Sequence, residues 1–464
     1  MRLAPQAGSP CFLDCETHVL EDSGSHMLYA PLEGVAIVLG GRAALWLRNL
    51  QQSPGLVLPA EHVCLAFHLS QLGLLWPEPI PPRISASPAD DTFRPTETTL
   101  FLTGRCNLRC RYCYALGGEQ PVTMPIAIAA SAIELVVRNA KASGAGKAVV
   151  HFHGGGEPTQ ALDRMREIVG GARACARQAG VELQFTLGTN GVMSDEAVDW
   201  VIRSIFHATV SADGDAVAQN RNRPMADGSG SFASLIRTLS RFDQDGFNHS
   251  LRMTVTAQDA QRLPELVQSL MAVSRARRIK VEPMFASGRG SGMTDSTFDP
   301  SAFVEGFCAA MIVAGGEGRE LSYSGYRPDV ATDRFCAAAG RSMCVTPTGD
   351  VSACYEVTDR ADARASRFFI GEWVDGRNGF RFDEQRLAWL RSQTVNQIPE
   401  CAGCLAKWHC AGDCPAKAEF PQSRLASRPG HRTWRCTINR ELIRRAVWKR
   451  ALDGIDLRSG SEPP

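Results

Sequence analysis

The stretch Cys106–Tyr114, which reads CNLRCRYCY, decides how the rest of this sequence is interpreted. Its cysteines, Cys106, Cys110 and Cys113, are separated by three and then by two residues. Three thiolates in one short loop can hold three irons of a [4Fe–4S] cube and leave the fourth iron without a protein ligand. A zinc knuckle is the alternative, but structural zinc sites usually close with four cysteine or histidine ligands, and no fourth follows nearby. The loop is therefore predicted to carry a catalytic cluster with an open coordination position.

This spacing, with the aromatic Tyr112 directly before the last cysteine, resembles the cluster loop of the radical S-adenosylmethionine (SAM) superfamily. The resemblance implies that the open iron binds the amino and carboxylate groups of SAM. It also implies that one electron from the cluster splits SAM into methionine and a 5′-deoxyadenosyl radical, which removes hydrogen from a substrate. On this interpretation Cys106, Cys110 and Cys113 are catalytic metal ligands, and Tyr112 contacts the cofactor.

The composition is that of an ordinary globular protein of 464 residues, a length that suggests two to four domains. A net charge of +1 gives no sign of nucleic acid or an anionic membrane as an obligate partner. No apolar run reaches about 18 residues, and the first ten residues lack the apolar core of a signal peptide. The sequence therefore predicts no membrane span, no export and a cytoplasmic location. Sixteen cysteines without an export signal then favour metal ligands over disulfides.

From residue 98 onward, strand and helix patterns alternate. Repeated βα units predict a parallel sheet, and six of them suit an α/β fold with a partial (β/α)6 TIM-like barrel over residues 96–320. Function is expected at the C-terminal ends of the strands. The predicted strands are Thr99–Leu102, Ala148–His153, Val181–Gly188, His207–Ser211, Leu251–Thr256 and Ile279–Met284. The predicted helices are Ile126–Ala142, Leu162–Gln178, Asp195–Ser204, Phe232–Phe242 and Leu263–Val273.

The ends of the second, third and fourth predicted strands carry residues that match SAM-binding positions of the family. The run GGGEP resembles its GGE motif, in which glycines let the backbone approach the amino group of SAM and the glutamate accepts from it. TNG and SADG resemble segments that contact the ribose or carboxylate of SAM. An arginine before GSF matches the usual carboxylate-binding arginine, although the family's upstream His-Asp is Gln219-Asn220 here. For each of these segments the alternative is a purely structural role, as a turn, a helix cap or a surface charge. The predicted cofactor-binding residues are Gly154, Gly155, Gly156, Glu157, Asn190, Ser211 and Arg223.

Half of the cysteines lie in the last third of the chain, in a pattern that resembles the SPASM extension of radical SAM peptide-modifying enzymes. Eight thiolates are enough for two fully ligated [4Fe–4S] clusters. Two zinc sites of four cysteines each are the alternative, because a C-x2-C pair is also common in zinc ribbons. The resemblance implies one auxiliary cluster on Cys336, Cys344, Cys354 and Cys414, and another on Cys401, Cys404, Cys410 and Cys436. If Cys344 does not coordinate, the first of these has an open site for a substrate group.

The segment VTPTGDV, residues 345–351, predicts a hairpin that carries Cys354, with Gly349 in its turn. Sulfatase-maturing members of the family place an aspartate base directly after the cysteine that corresponds to Cys354. This chain has Tyr355 and Glu356 there, which weakens a formylglycine assignment and leaves both as candidates for a proton relay, with packing as the alternative. The other cysteines have no partner spacing and are predicted to be buried small apolar residues, namely Cys11, Cys15, Cys64, Cys175 and Cys308.

Residues 1–95 are predicted to form a small winged-helix-like α+β module and a Pro-rich linker. Strand patterns at His26–Leu32 and Val35–Leu39 precede helical spacing at Arg42–Leu50 and Ala60–Leu72. The arrangement resembles the peptide-recognition element of many radical SAM peptide modifiers, which binds a leader peptide by strand addition. An extension that only caps the barrel is the alternative. Residues 321–450 are assigned to the SPASM domain, with a solvent-exposed basic helix near residues 441–446, and residues 451–464 to a tail.

The sequence as a whole predicts a radical SAM/SPASM maturase that modifies a side chain of a ribosomally made peptide or protein by crosslinking, thioether formation or oxidation. Its partners would be the precursor peptide or protein and an electron donor such as flavodoxin or ferredoxin, with no nucleic acid and no membrane. Two alternatives stay open: an anaerobic sulfatase-type maturase that forms formylglycine, and a non-catalytic iron–sulfur electron carrier.

Overall fold

The computed structural model describes residues 5–80, 92–293, 298–338, 340–375, 379–420 and 430–453. The predicted Pro-rich linker lies outside these ranges at residues 81–91, and so does the predicted tail after residue 453. Within these ranges, no helix combines the length and the apolar character needed to cross a bilayer.

The N-terminal region is a small α+β unit with a three-stranded antiparallel sheet and two helices. Gly34, at φ +62°, lies in the turn between the second and third strands of this sheet, in a conformation that glycine tolerates best. The predicted strands and helices of the region are confirmed. Its elements are β1 (Phe12–Leu13), β2 (His18–Asp22), β3 (Ser25–Ala30), β4 (Val35–Leu39), α1 (Gly41–Gln52), α2 (Val63–Gln71) and β5 (Leu75–Trp76).

Side chains alternate along β3, the middle strand of this sheet, and bury both of its faces. Leu28 and Ala30 pack against the unit's own helices. Met27 and Tyr29 point the other way, into a cluster formed with the C-terminal region. A second link is made by Glu16, which accepts hydrogen bonds from the side chains of Lys407 at 2.5 Å and Trp408 at 2.7 Å. The N-terminal unit is therefore docked on the C-terminal region through a buried surface.

The predicted alternation of strands and helices is confirmed in the next region, and three predicted helices have the same bounds in the structure. The seven-residue helix α6, the helix α9 and the strand β12 were not predicted. The elements are β6 (Glu97–Leu100), α3 (Ile126–Ala142), β7 (Lys147–Phe152), α4 (Leu162–Ala179), β8 (Glu182–Thr189), α5 (Asp195–Ser204), β9 (His207–Ser211), α6 (Ala216–Asn222), α7 (Phe232–Gln244), β10 (His249–Val255), α8 (Leu263–Val273), β11 (Arg278–Pro283), α9 (Pro300–Gly316) and β12 (Glu320–Ser322).

Burial along these elements follows the period of each. The helix α7 buries Leu235, Leu239 and Phe242, which lie on one stripe of a 3.6-residue repeat. The strand β10 alternates, so that Leu251 and Met253 are buried while the residues between them are half-buried. The fully buried set packs under the helices, and the half-buried set faces the concave inner side of the sheet. This inner side is the lumen of an open, partial barrel.

The C-terminal region continues the sheet of the barrel. Its hairpin is confirmed, with Gly349 at φ +88° in the turn. The first hairpin strand runs parallel to β6, so the hairpin lies beside the strand that leads into the cluster loop. The elements are β13 (Ser342–Val345), β14 (Asp350–Ser352), α10 (Ala365–Phe368), β15 (Phe369–Val374), β16 (Gly379–Phe382), α11 (Glu384–Ser392), α12 (Lys407–Cys410), α13 (Pro415–Ala418) and α14 (Arg435–Asp453). One described sheet of eleven strands results, in the order β12-β11-β10-β9-β8-β7-β6-β13-β14-β15-β16.

The prediction of a solvent-exposed basic helix near residues 441–446 is wrong. These residues belong to α14, which buries Ile438, Leu442, Ile443 and Val447. Its arginines extend sideways to carboxylates; Arg444, for example, pairs with Glu441 at 3.0 Å. The helix packs between α9 and the N-terminal sheet, so its apolar stripe is a core surface.

Candidate active site

The cluster loop begins where β6 ends, and two arginines hold its backbone in place. Arg109 donates from Nη1 to the carbonyl oxygen of Cys106 at 2.9 Å. Arg289, from the turn after β11, donates to the carbonyl oxygens of Cys110 at 2.9 Å and Gly117 at 3.1 Å. Because guanidinium groups bind the loop at both ends, its conformation is fixed by the protein itself.

The three thiols of the loop lie close enough for their charges to act on one another. Burial raises the pKa of Cys106 to about 11 and that of Cys110 to about 12, and the neighbouring thiolates add to both shifts. A ligand thiol must lose its proton, and a bound metal supplies the positive charge that makes this favourable. The backbone N of Gly117 also lies 3.4 Å from Cys113 Sγ. Three converging thiols with an N–H donor fit the ligand set of a [4Fe–4S] cluster.

The glycine run after β7 lies directly against the cluster loop. A Cβ on Gly156 would be 1.9 Å from the carbonyl oxygen of Arg105, and one on Gly155 would be 2.9 Å from that of Thr103. Gly154 and Gly155 have φ values of +89° and +69°, which other residues rarely adopt. Glycine is therefore required at these positions, and the structure places all three predicted glycines beside the cysteines.

Glu157 is buried and joins two of the loops that surround the cysteines. Its Oε1 accepts from Thr189 Oγ1 at 2.9 Å, and its Oε2 accepts from the backbone N of Asn190 at 2.7 Å. Asn190 in turn donates to Asn107 Oδ1 at 2.8 Å and lies 3.9 Å from Cys106 Sγ. The carboxylate predicted to accept from SAM is thus occupied by protein donors, which gives it an organising role in this structure.

Arg223 lies against Tyr112, beneath the cluster loop. Its guanidinium is 5.2 Å from the ring centroid of Tyr112, and its Nη2 donates to Asp213 Oδ1 at 3.1 Å. The Tyr112 hydroxyl donates to the other oxygen of the same carboxylate. Gln219, in place of the family's histidine, accepts from the backbone N of Asp213 at 2.9 Å. In the described part of the chain the buried Arg223 Nε has no hydrogen-bond partner, as expected of a donor that awaits a ligand carboxylate.

Ser211 ends β9 and is half-buried on the inner side of the sheet. It pairs in register with Arg252 of β10. The structure therefore brings the predicted SAM-binding residues together at the C-terminal edge of β7, β8 and β9, next to the cysteine loop. Asp213 and Asn107 belong to the same network, and sequence reasoning missed both.

The lumen holds a further pair that sequence reasoning missed in part. His153 follows β7 and makes an edge-to-face contact with Tyr355, at 5.1 Å between ring centroids. A Cβ on Gly188 would lie 2.2 Å from His153 Nδ1, so glycine makes room for this imidazole. Burial lowers the pKa of His153 to about 4, because the charged form is poorly solvated there. Tyr355, the residue after Cys354, therefore lies against the barrel through His153, while 38% of its surface stays exposed to solvent.

The first predicted set of auxiliary ligands converges beside this pair. Cys344 is buried on β13 and Cys354 is half-buried after β14. Burial raises the pKa of Cys354 well above its usual value, and the thiolates of Cys414 and Cys336 raise it further. Burial raises the pKa of Cys344 to about 12, with Cys336 again contributing. The charge of Cys336 thus reaches Cys344, Cys354 and Cys414, which links the four thiols of this set into one group.

The second predicted set converges near α12 and the start of α14. Burial raises the pKa of Cys401 to about 12, and the thiolates of Cys404 and Cys436 add to the shift. Burial also raises the pKa of Cys410, with contributions from Cys436 and Cys401. Asn439 donates from Nδ2 to Cys410 Sγ at 3.1 Å. These contributions link the thiols of the second set, and the assignment of each set to one cluster, whether iron–sulfur or zinc, stays a prediction.

Two predictions about the remaining cysteines are wrong, because Cys15 and Cys64 are exposed. Cys11 is buried as predicted, and Cys175 and Cys308 are half-buried. Among the described residues, no three His, Cys, Asp or Glu side chains are close enough to hold a single metal ion. The metal-binding assignments therefore rest on the grouping of the thiols.

Known proteins share part of this sequence and its fold. Residues 100–270 match the family model of the Radical SAM superfamily. The chain is 25% identical over 333 residues to the serine-type anaerobic sulfatase-maturating enzyme of Klebsiella aerogenes, an alignment that covers 67% of this chain and 77% of that enzyme. It is 27% identical over 201 residues to the Fe-coproporphyrin III synthase of Methanosarcina barkeri, covering 42% of this chain and 45% of the synthase.

Solved structures share the fold at low sequence identity. Native anSMEcpe with bound AdoMet superposes with a TM-score of 0.60 at 15% identity, covering 77% of this chain and 98% of that one. Streptococcus suis SuiB bound to the precursor peptide SuiA superposes with a TM-score of 0.51 at 13% identity, covering 92% of this chain and 99% of that one. The second alignment spans more of the present chain.

Proposed function

We propose, from the premise that residues 100–270 form a radical SAM domain, that this protein modifies a side chain of a peptide or protein substrate. Enzymes of this superfamily use a [4Fe–4S] cluster and SAM. The observation that carries the proposal is the meeting of the cysteine loop, the glycine run and Arg223 at one edge of the sheet. An electron carrier has no need of an arginine with a free donor beside its cluster.

The residues of the chain have separate tasks in this proposal. Cys106, Cys110 and Cys113 would hold the cluster, which when bound supplies the electron that cleaves SAM to methionine and a 5′-deoxyadenosyl radical that takes hydrogen from the substrate. Arg223, held by Asp213, would bind the carboxylate of SAM through its free Nε and remaining N–H groups. The backbone of the glycine run would line the amino group. The lumen, with half-buried polar side chains along β9 and β10, would receive the substrate.

The auxiliary cysteines would hold two more [4Fe–4S] clusters, one of them beside the lumen. The β13–β14 hairpin carries Cys354, and the next residue, Tyr355, contacts His153, so a cluster there would lie next to the proposed substrate. Its task would be to accept the electron left on the substrate or to orient a substrate group. SuiB, which shares this fold, is solved with a precursor peptide, and this favours a peptide substrate.

The N-terminal unit would bind the leader segment of such a peptide. The edge strand β4 is hydrogen-bonded on one side to β3, and Val38 on it is 55% exposed. An unpaired strand edge can accept a peptide strand through main-chain hydrogen bonds. A synthetic leader segment added in excess should then compete with modification of the full precursor without slowing SAM cleavage.

The test of the proposal is formation of 5′-deoxyadenosine by the anaerobically reconstituted protein with SAM and a reductant. About twelve irons per chain are expected for three cubes, against about four if the C-terminal region binds zinc. The Cys113→Ala variant should form no 5′-deoxyadenosine. A wild-type protein that holds its cluster and still leaves SAM intact would instead support an electron carrier.

A sulfatase-type maturase is the second candidate, favoured by the similarity to the Klebsiella enzyme across 67% of this chain. The residue after Cys354 counts against it, because Tyr355 fills the position with a ring packed on His153 where an aspartate base is expected. Incubation with sulfatase-derived peptides that carry serine or cysteine at the target position decides between them. A mass change corresponding to formylglycine would favour this candidate, and an unchanged mass with active SAM cleavage would favour the first.

A further inference from the structure

The inner side of β10 presents an arginine to the lumen. Arg252 is half-buried and stands in register between Ser211 of β9 and Lys280 of β11. Its neighbours on β10, Leu251 and Met253, are buried beneath the helices, so the pleat directs Arg252 to the opposite side. The guanidinium therefore lies inside the barrel, one strand away from the predicted SAM-binding Ser211.

The carboxylates around this part of the lumen are already paired with other cations. Glu282 lies 3.8 Å from Lys280 and 3.6 Å from Arg435, and it accepts from Ser324 Oγ at 2.9 Å. Glu356 lies 3.4 Å from Lys417. These ion pairs leave both carboxylates with partners that do not include Arg252.

Arg252 itself has no ion pair or hydrogen bond with any described residue, since every described carboxylate oxygen lies more than 4 Å from its nitrogens. The side chains whose charges reach it from farther away are Tyr355, Glu282, Tyr114 and Glu356. Counting the charges, four cations (Arg252, Lys280, Lys417 and Arg435) face three anions (Glu282, Glu356 and Asp413). Among these described groups, Arg252 is the cation that lies within 4 Å of none of the three carboxylates.

A half-buried guanidinium without an acceptor is unfavourable unless a ligand completes it. We propose that Arg252 binds a carboxylate of the substrate inside the barrel. The substrate class is then a peptide with an aspartate or glutamate side chain, or a free C-terminal carboxylate, close to the modified residue. Bidentate binding by the planar guanidinium would fix the distance and direction of that residue relative to the bound SAM. This inference rests on the proposed function and narrows its substrate.

The experiment uses the full-length protein, reconstituted with iron and sulfide and loaded with SAM. Two random hexapeptide libraries serve as probes, one with free C-termini and one amidated, and retained peptides are sequenced by mass spectrometry. The variants are Arg252→Gln, Arg252→Lys and a matched control, Arg241→Gln, which removes a surface arginine paired with Asp199. Iron content and 5′-deoxyadenosine formation are measured for every variant, so that failure of the proposed function is seen separately.

Wild type and Arg241→Gln should enrich carboxylate-bearing peptides about tenfold or more, the value expected of a hydrogen bond to a charged group. Enrichment of Asp and Glu in both libraries would assign a side-chain carboxylate, and enrichment confined to the free-acid library would assign the C-terminus. Arg252→Gln should lose the enrichment, and Arg252→Lys should keep part of it. Equal enrichment by wild type and Arg252→Gln would overturn the proposal. So would loss of SAM binding in Arg252→Gln, because the arginine would then serve the cofactor.

Discussion

The three cysteines of the cluster loop lie within one stretch of eight residues, from Cys106 to Cys113. The eight cysteines of the C-terminal region are spread over about a hundred residues, from Cys336 to Cys436. In the loop, hydrogen bonds from Arg109 and Arg289 shape the backbone. In the C-terminal region the thiols are brought together by long-range packing. A local site is specified by a short segment, while a dispersed one depends on the stability of the whole region.

The C-terminal region, whose cysteines are dispersed along the sequence, contains a fully buried ion pair next to two of them. Arg435 donates from Nε to Asp413 at 3.0 Å, and neither side chain is exposed. Asp413 directly precedes Cys414, and Arg435 directly precedes Cys436. One member of each proposed auxiliary set is therefore positioned by the same ion pair. The barrel contains the related pair of Arg223 and Asp213, but that pair lies beside the loop and leaves donors free for a ligand.

The largest expected effect comes from removing one cysteine from the cluster loop or one from the C-terminal region, because the two losses should affect different steps of the reaction. Cys110→Ala removes a ligand of the loop, so 5′-deoxyadenosine formation should fall to background. Cys414→Ala should leave SAM cleavage within a few-fold of wild type and abolish product formation from the substrate. Each variant should lose about four irons, which identifies the missing cluster. Product analysis by liquid chromatography and mass spectrometry measures both activities.

This comparison fails if Cys414→Ala retains its loop cluster by spectroscopy and still loses all SAM cleavage. The regions would then act as one unit. A control for general damage is Cys64→Ala, which changes an exposed cysteine in the N-terminal unit and should resemble wild type in both assays.

The next effect tests how closely the glycine run must approach the loop. In Gly156→Ala the new Cβ would lie 1.9 Å from a carbonyl oxygen of the loop, so backbone has to move. SAM cleavage should fall about 100-fold, since displacements of about 1 Å have effects of that size. Gly170→Ala is the matched control, because a Cβ there has no atom within 4 Å, and alanine should stabilise its helix by up to about 1 kcal/mol. Equal SAM cleavage by the two variants would contradict this prediction, because the loop backbone could then move away from the new Cβ without loss of activity.

The parts that the sequence predicted well are those whose signal is local. The strands of the barrel have buried apolar alternation, and the helices have clear stripes, so their bounds are off by a few residues at most. The role of Glu157 in joining two loops was not predictable, because the hydroxyl that donates to it belongs to Thr189, more than thirty residues away. The burial of α14 was misjudged because its arginines obscured a regular stripe at Ile438, Leu442 and Ala446. A short stretch of sequence does not show which distant residue a side chain will pair with. Nor does it show that the charged residues of a helix will pair with carboxylates beside a buried apolar stripe.

A smaller effect concerns the stability of the dispersed region. Asp413→Asn removes the hydrogen-bonded partner of the buried Arg435 and leaves it only Glu282, at 3.6 Å, so the free energy of unfolding should fall by up to about 3–5 kcal/mol. Asp199→Asn, which removes the partner of Arg241 at the surface, should cost at most about 1 kcal/mol. Thermal melting of the reconstituted proteins without oxygen, with iron content measured at each step, ranks the two. Similar melting temperatures would mean that the buried pair does not organise the cysteines.

The smallest effect compares one amide near each kind of cluster. Asn439 Nδ2 is 3.1 Å from Cys410 Sγ, whereas Asn190 Nδ2 is 3.9 Å from Cys106 Sγ. The orientation of Asn439 is fixed, because its Oδ1 accepts from the buried Tyr323 hydroxyl at 2.8 Å. A donor to a ligand sulfur stabilises the more negative, reduced cluster and so raises its reduction potential.

Asn439→Leu should therefore lower the potential of the second auxiliary cluster by roughly 50 mV, the equivalent of about one hydrogen bond in a one-electron couple. Tyr323→Phe should shift it in the same direction by less, since the amide keeps its donor but loses its alignment. Asn190→Leu should move the potential of the loop cluster less than Asn439→Leu moves its own, because its donor is farther from the sulfur. Electron paramagnetic resonance at controlled potentials, without SAM, measures all three. A larger shift in Asn190→Leu would reverse the comparison, because the short local loop, rather than the dispersed region, would then be the site whose electronics depend on distant residues.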